Sequence, residues 1–143
     1  MDDQSLSPMR KYKYFQHVPK EILHELPGKW LRPIPGVPKV DFQLMQAMLA
    51  EGKWDAWWLT DGPSGIAVSY PEDGVLFVYY LRANKLFGML DKEDLLAVAN
   101  GEGLDGLRAQ TKVPGVARLL QAVGFEHDGF DHDAWIMELS DGR

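Results

Sequence analysis

The chain has 143 residues, 45% hydrophobic and 25% charged, with a formal net charge of −6 and no cysteine. That balance excludes wholesale disorder, and the acidic surplus excludes a general binder of nucleic-acid backbone, which needs clustered Lys and Arg. Without thiols there is no disulfide framework, thiol nucleophile or thiolate metal site, and no apolar run reaches the roughly 20 residues that span a bilayer.

The polar residues 1–9 read as an N-terminal arm, and 10–143 has the length of one domain. The N-terminus is acidic where a secretory signal would be basic, so the expected location is the cytoplasm. Lys11 to Val18 alternates as a first strand, and Pro19 opens a short helix over Lys20 to Leu26. A connector rich in Pro and Gly follows. Asp41 can cap the next helix, where Phe42, Met45, Met48 and Leu49 recur on one face until Gly52.

Three strands come next, Trp54 to Thr60, Gly65 to Tyr70 and Val75 to Arg82, parted by the turn signals Asp61 to Gly65 and Pro71 to Gly74. The third is apolar on both faces, as a central covered strand would be. Asp91 caps a helix over Lys92 to Ala99, with Asp94 supporting its first turn and Asn100-Gly101 closing it. Leu104 to Gln110 is a fifth strand. Pro114 then starts an amphipathic helix through Val116, Leu119, Leu120 and Val123, which Gly124 stops and Phe125 folds back upon. Ala134 to Leu139 is the last strand.

Trp54 and Trp58 fall on one side of their strand and Trp57 on the other. At least one side is core, and a solvent-facing side would make these tryptophans an interface for another chain. Between His127 and Asp133, two histidines interleave with carboxylates. Spacing alone does not converge metal ligands, so the stretch reads as a polar connector and no metal is assigned. Glu72 and Asp73 in a turn, and Glu102 and Asp105 beside the fifth strand, read as turn formers and solvated charge, and no catalytic residue is assigned.

The order β-α-α-β-β-β-α-β-α-β, with ARLLQAVGFE followed by DAWIMEL, resembles the GNAT superfamily of N-acetyltransferases. The resemblance implies an α+β fold with a central mixed, mostly antiparallel sheet and helices on both faces. It also implies an Arg/Gln-x-x-Gly-x-Gly/Ala loop whose backbone N–H groups hold the pyrophosphate of acetyl-CoA. Here Arg82 fits that pattern, but Lys85 and Phe87 stand where it has Gly and a small residue, and Gly88 comes too late. The family's acid tyrosine, five residues before the Gly-Phe phenylalanine, corresponds to Leu120. Its Asn near the helix start is missing from Thr111 to Pro114.

These departures lead to the expectation of a degenerate, non-catalytic GNAT-like interaction or assembly module without cofactor, working through a protein partner or a homo-oligomer. Small proteins of that kind occur among the virion and internal proteins of tailed phages, so the virion is the expected location in place of the cytoplasm if the chain is phage-encoded. The alternative is an acetyl-CoA-dependent N-acyltransferase in which Arg82 and the backbone around Phe87 and Gly88 grip the pyrophosphate.

Overall fold

A computed structural model describes residues 11–13, 15–21, 39–59, 65–83 and 91–140. In chain order these form β1 (Phe15–Val18), α1 (Lys39–Ala50), β2 (Asp55–Leu59), β3 (Gly65–Glu72), β4 (Val75–Ala83), α2 (Lys92–Gly101), β5 (Gly106–Thr111), α3 (Pro114–Val123), β6 (Glu126–Asp131) and β7 (Ala134–Ser140). The strands order as β1-β2-β3-β4-β5-β7-β6 in one mixed sheet, which with three helices makes an α+β fold. β4 and β5 run parallel, while β1–β2, β2–β3, β5–β7 and β6–β7 are antiparallel. Two compact units divide the chain: residues 1–69 with 80–83, and residues 70–79 with 84–143.

In the first unit, β1 is shorter than its alternating pattern suggests. The Tyr12 N–H donates to the Phe15 carbonyl at 2.7 Å and Lys11 bridges Gln16, so the chain doubles back before the strand begins. Of the helix expected over Lys20 to Leu26, only Lys20 and Glu21 belong to the described residues, and both are in 3₁₀ conformation. α1 starts two residues before Asp41, which therefore sits in the first turn, where its charge favours the helix dipole, rather than at the cap. Met45 and Leu49 are its buried side chains, and Gly52 closes the turn behind it at φ +75°.

In the second unit, Asp73 and Gly74 both have positive φ, 53° and 81°, the requirement of a tight two-residue hairpin. The turn is therefore shorter than Pro71 to Gly74, and β3 continues through Glu72. α2 is capped by Asp91, whose Oδ1 accepts from the Asp94 N–H at 2.9 Å. It runs past Ala99 through Asn100-Gly101, because the Glu102 N–H at the cap still reaches the Val98 carbonyl at 3.0 Å; Gly103, at φ +81°, takes the left-handed position. The Leu104 N–H then binds back to the Ala99 carbonyl, so β5 starts only at Gly106. A Cβ at Gly106 would collide with the Leu139 carbonyl oxygen of β7.

α3 begins at Pro114 and ends at Gly124 (φ 129°), with the Phe125 N–H on the Leu120 carbonyl at 2.9 Å and the Phe125 ring buried. α2 lies against β5 and β7, and α3 against β5, β6 and β7. The polar stretch read as a connector is a strand instead: Glu126–Asp131 pairs with β7 across a turn whose residues His132 and Asp133 have φ 50° and 70°. All six of its residues are exposed, so it carries no apolar alternation by which a strand could be read.

Candidate functional site

The feature of the second unit that sets it apart from a closed sheet is the short contact between its two parallel strands. β4 and β5 pair at Leu76↔Leu107, Phe77↔Arg108 and Val78↔Ala109. No pair joins Tyr79 to Gln110, although each continues its strand. β5 stays paired on its other side, out to Thr111↔Trp135. The register brings the β6–β7 turn at His132 and Asp133 to this same end of β5. Where two parallel strands part, a ligand with amide groups can approach their backbone.

Two helix ends belong to the same unit and differ in charge. The first turn of α2 holds the carboxylates of Asp91, Glu93 and Asp94, with one N–H already taken by Asp91. Together these oppose an anion at that helix end. α3 has no acidic residue in its first turn and no side-chain cap bond at Val113. Leu120, at the position where the GNAT resemblance calls for a tyrosine, is 7% exposed and packs as core.

Next to the ladder end lies an aromatic strip: Tyr70 stacks on Phe77 at 5.2 Å and tilts against Tyr79 at 6.3 Å. Burial, reinforced by the charge of Glu72 and by Tyr79, raises the Tyr70 hydroxyl above the ordinary tyrosine range, so it keeps its proton at neutral pH. Beside it, Arg108 on β5 donates through Nε to Glu138 at 2.7 Å and through Nη1 to Glu72 at 3.4 Å. The bond to Glu138 chiefly holds the guanidinium more firmly protonated. Glu72, read as a turn former, is thus one arm of a three-strand ion cluster, while Asp73 is 82% exposed and only 4.0 Å from Arg108.

Arg82 lies on β4, and Lys85, Phe87 and Gly88 lie outside the described residues. Trp57 is 2% exposed and donates through Nε1 to the Ser69 hydroxyl at 2.8 Å, whereas Trp54 and Trp58 are half-buried. Tyr80 is buried on β4. The ligand-rich stretch from His127 to Asp133 is drawn out along a strand and its turn, with His127 bonded to the Gly129 carbonyl at 2.9 Å. Among the described residues no group of three or more His, Cys, Asp or Glu is arranged to hold a metal ion.

Two polar arrangements escaped sequence reasoning. The Arg108 cluster depends on cross-strand register; its one local signal is a charged residue alternating with Leu107 and Ala109 in a strand. The other is in the first unit, where His17 Nε2 sits 2.9 Å from Asp55 Oδ1 and its ring meets Trp57 edge-on at 5.3 Å. A carboxylate only accepts, so Nε2 carries the hydrogen.

No protein-family model matches the chain, and no curated protein matches it in sequence. Solved structures do match in fold. A GNAT-family protein from Desulfovibrio desulfuricans superimposes with a TM-score of 0.60 at 16% identity, covering 88% of this chain and 97% of its own. A Bacillus subtilis acetyltransferase in complex with CoA gives 0.55 at 14%, covering 93% and 96%. A GNAT-family acetyltransferase from Elizabethkingia anophelis with acetyl-CoA bound gives 0.53 at 13%, covering 76% and 92%. At such identities the likeness establishes the GNAT fold alone. No helix among the described residues is long and apolar enough to cross a membrane.

Proposed function

We propose that the protein binds an acyl-coenzyme A thioester and transfers its acyl group to an amine. The observation that carries this reading is the early end of the β4–β5 ladder at Val78↔Ala109, beyond which no pair joins Tyr79 to Gln110 although both strands continue. Fold neighbours described with acetyl-CoA or CoA bound add support. In the reaction the amine nitrogen bonds to the thioester carbonyl carbon and loses a proton to solvent, the C–S bond breaks, and the departing thiolate takes up a proton. Leu120 cannot supply that proton, and this reading assigns it to Tyr79. The pyrophosphate falls to Arg82 and the backbone around Phe87 and Gly88, an atypical grip made weaker by the carboxylates of Asp91, Glu93 and Asp94.

A second reading is favoured by those same carboxylates and by the burial of Leu120: a degenerate, non-catalytic assembly module of the kind found in tailed-phage virions, acting through a protein partner. Thermal unfolding with and without millimolar acetyl-CoA separates the two. A ligand of the folded state adds RT ln(1 + [L]/Kd), about 2.7 kcal/mol at a hundredfold excess over Kd, which for a chain of this size raises Tm by several degrees. The acyltransferase reading expects that rise, and release of free thiol when an amine is added. A melting curve that acetyl-CoA leaves in place, with a defined oligomer in solution, supports the assembly reading instead.

A further inference from the structure

β6 ends the sheet order, so one side of its backbone has no strand partner among the described residues. All six of its residues are exposed. Phe130 is 60% exposed and stands between His127, edge-on at 4.8 Å, and Trp135, tilted at 5.7 Å. These rings form an uncovered aromatic shelf along the open edge. Glu126, Asp128, Asp131 and Asp133 are exposed along the same strand and its turn, and among the described residues only Asp131 has an ionic partner, His132 at 3.4 Å. The register shifts between His127 and Phe130, and Gly129 there has φ +95° with nothing within 4 Å of a Cβ built on it.

A second copy of the chain suits this edge poorly. In antiparallel pairing of β6 with itself, one register sets Glu126 against Asp131 of the other copy and the next sets Asp128 against Asp128, and like charges directly opposite are destabilising. A cationic chain satisfies every feature at once: backbone for the open edge, ammonium or guanidinium groups for the carboxylates, and aliphatic stems and charge for the face of Phe130. We propose that the β6 edge docks an extended, Lys/Arg-rich peptide segment of another protein as an added strand. The shift beside Gly129 divides the edge, so each side takes only a few residues of that segment.

The probe is a nine-residue peptide of alternating lysine and threonine, blocked at both ends, titrated at about 50 mM salt with tryptophan fluorescence, Trp135 lying next to Phe130, and with amide exchange. Binding is expected, with slowed exchange in β6. Phe130→Ser should weaken it about tenfold, and the triple variant Asp128→Asn, Asp131→Asn, Asp133→Asn should weaken it as much and flatten its salt dependence. All four positions are exposed, so the variants should fold, which circular dichroism checks. The same peptide N-methylated at alternate residues should not bind, since it cannot complete a strand. Equal binding of the N-methylated peptide, binding of a glutamate/threonine peptide, or no binding at millimolar concentration each overturns the proposal. So does a concentration-dependent dimer that Phe130→Ser abolishes, because the edge would then belong to a second copy.

Discussion

α2 and α3 are helices of equal length in the same unit, yet they follow the GNAT pattern to different degrees. α3 ends with the left-handed Gly124 and buries Phe125, as the sequence resemblance implies. α2 begins with three carboxylates, one of them spent on capping its own N–H, and their charge opposes the pyrophosphate that the resemblance implies. The packing at the end of α3 fits the resemblance, whereas the charge at the start of α2 opposes an anion. A fold match and a binding match are therefore separate findings for this protein.

Substitutions in the two helices should break or sharpen that contrast. The largest effect belongs to α3: Leu120→Ala removes a buried side chain and should cost about 2–5 kcal/mol in urea unfolding. Gly124→Ala puts a Cβ at φ 129°, with Lys92 Cδ at 3.3 Å and Leu139 Cδ1 at 3.4 Å, and should cost about 1–2 kcal/mol by the same measurement. On α2 the expected readout is affinity. Glu93→Gln with Asp94→Asn removes two charges worth about 0.3–1 kcal/mol each against an anion, so acetyl-CoA should bind about threefold to thirtyfold tighter by calorimetry. An unchanged affinity would mean that the diphosphate does not meet this helix end. Asp91→Ala should cost about 1 kcal/mol through loss of the cap.

The smallest effect concerns pH. Tyr70 holds its proton more tightly in the folded chain than at the ordinary value of 10.0. Its contribution is therefore complete below that pH and lost as pH rises through the higher native value. Tyr70→Phe should flatten the alkaline loss of stability, and a titration of tyrosinate absorbance should lose one step above the ordinary tyrosine range.

Much of this was legible in the sequence because it is local. Asp91 three residues before Asp94, Pro114 ahead of an apolar stripe and Gly124 followed by Phe125 each state a helix end within one turn of chain. Asp73-Gly74 likewise marks a hairpin, though not how far β3 would run into it. The contents of the candidate site were less legible. Arg108 meets Glu138 and Glu72 only once three strands are in register, and His17 meets Asp55 only once β1 lies on β2. β6 has no apolar face of its own, so β7 alone makes it a strand.

By itself the sequence determined the start of α2 and both ends of α3 and which residues can fill a core, since those depend on caps, turns and periodicity over a few residues. Only the tertiary structure decided that β4 and β5 part after three pairs, that β7 enters between β5 and β6, and that an acidic aromatic edge remains open. Register and strand order join residues distant in the chain, and no short-range pattern records them.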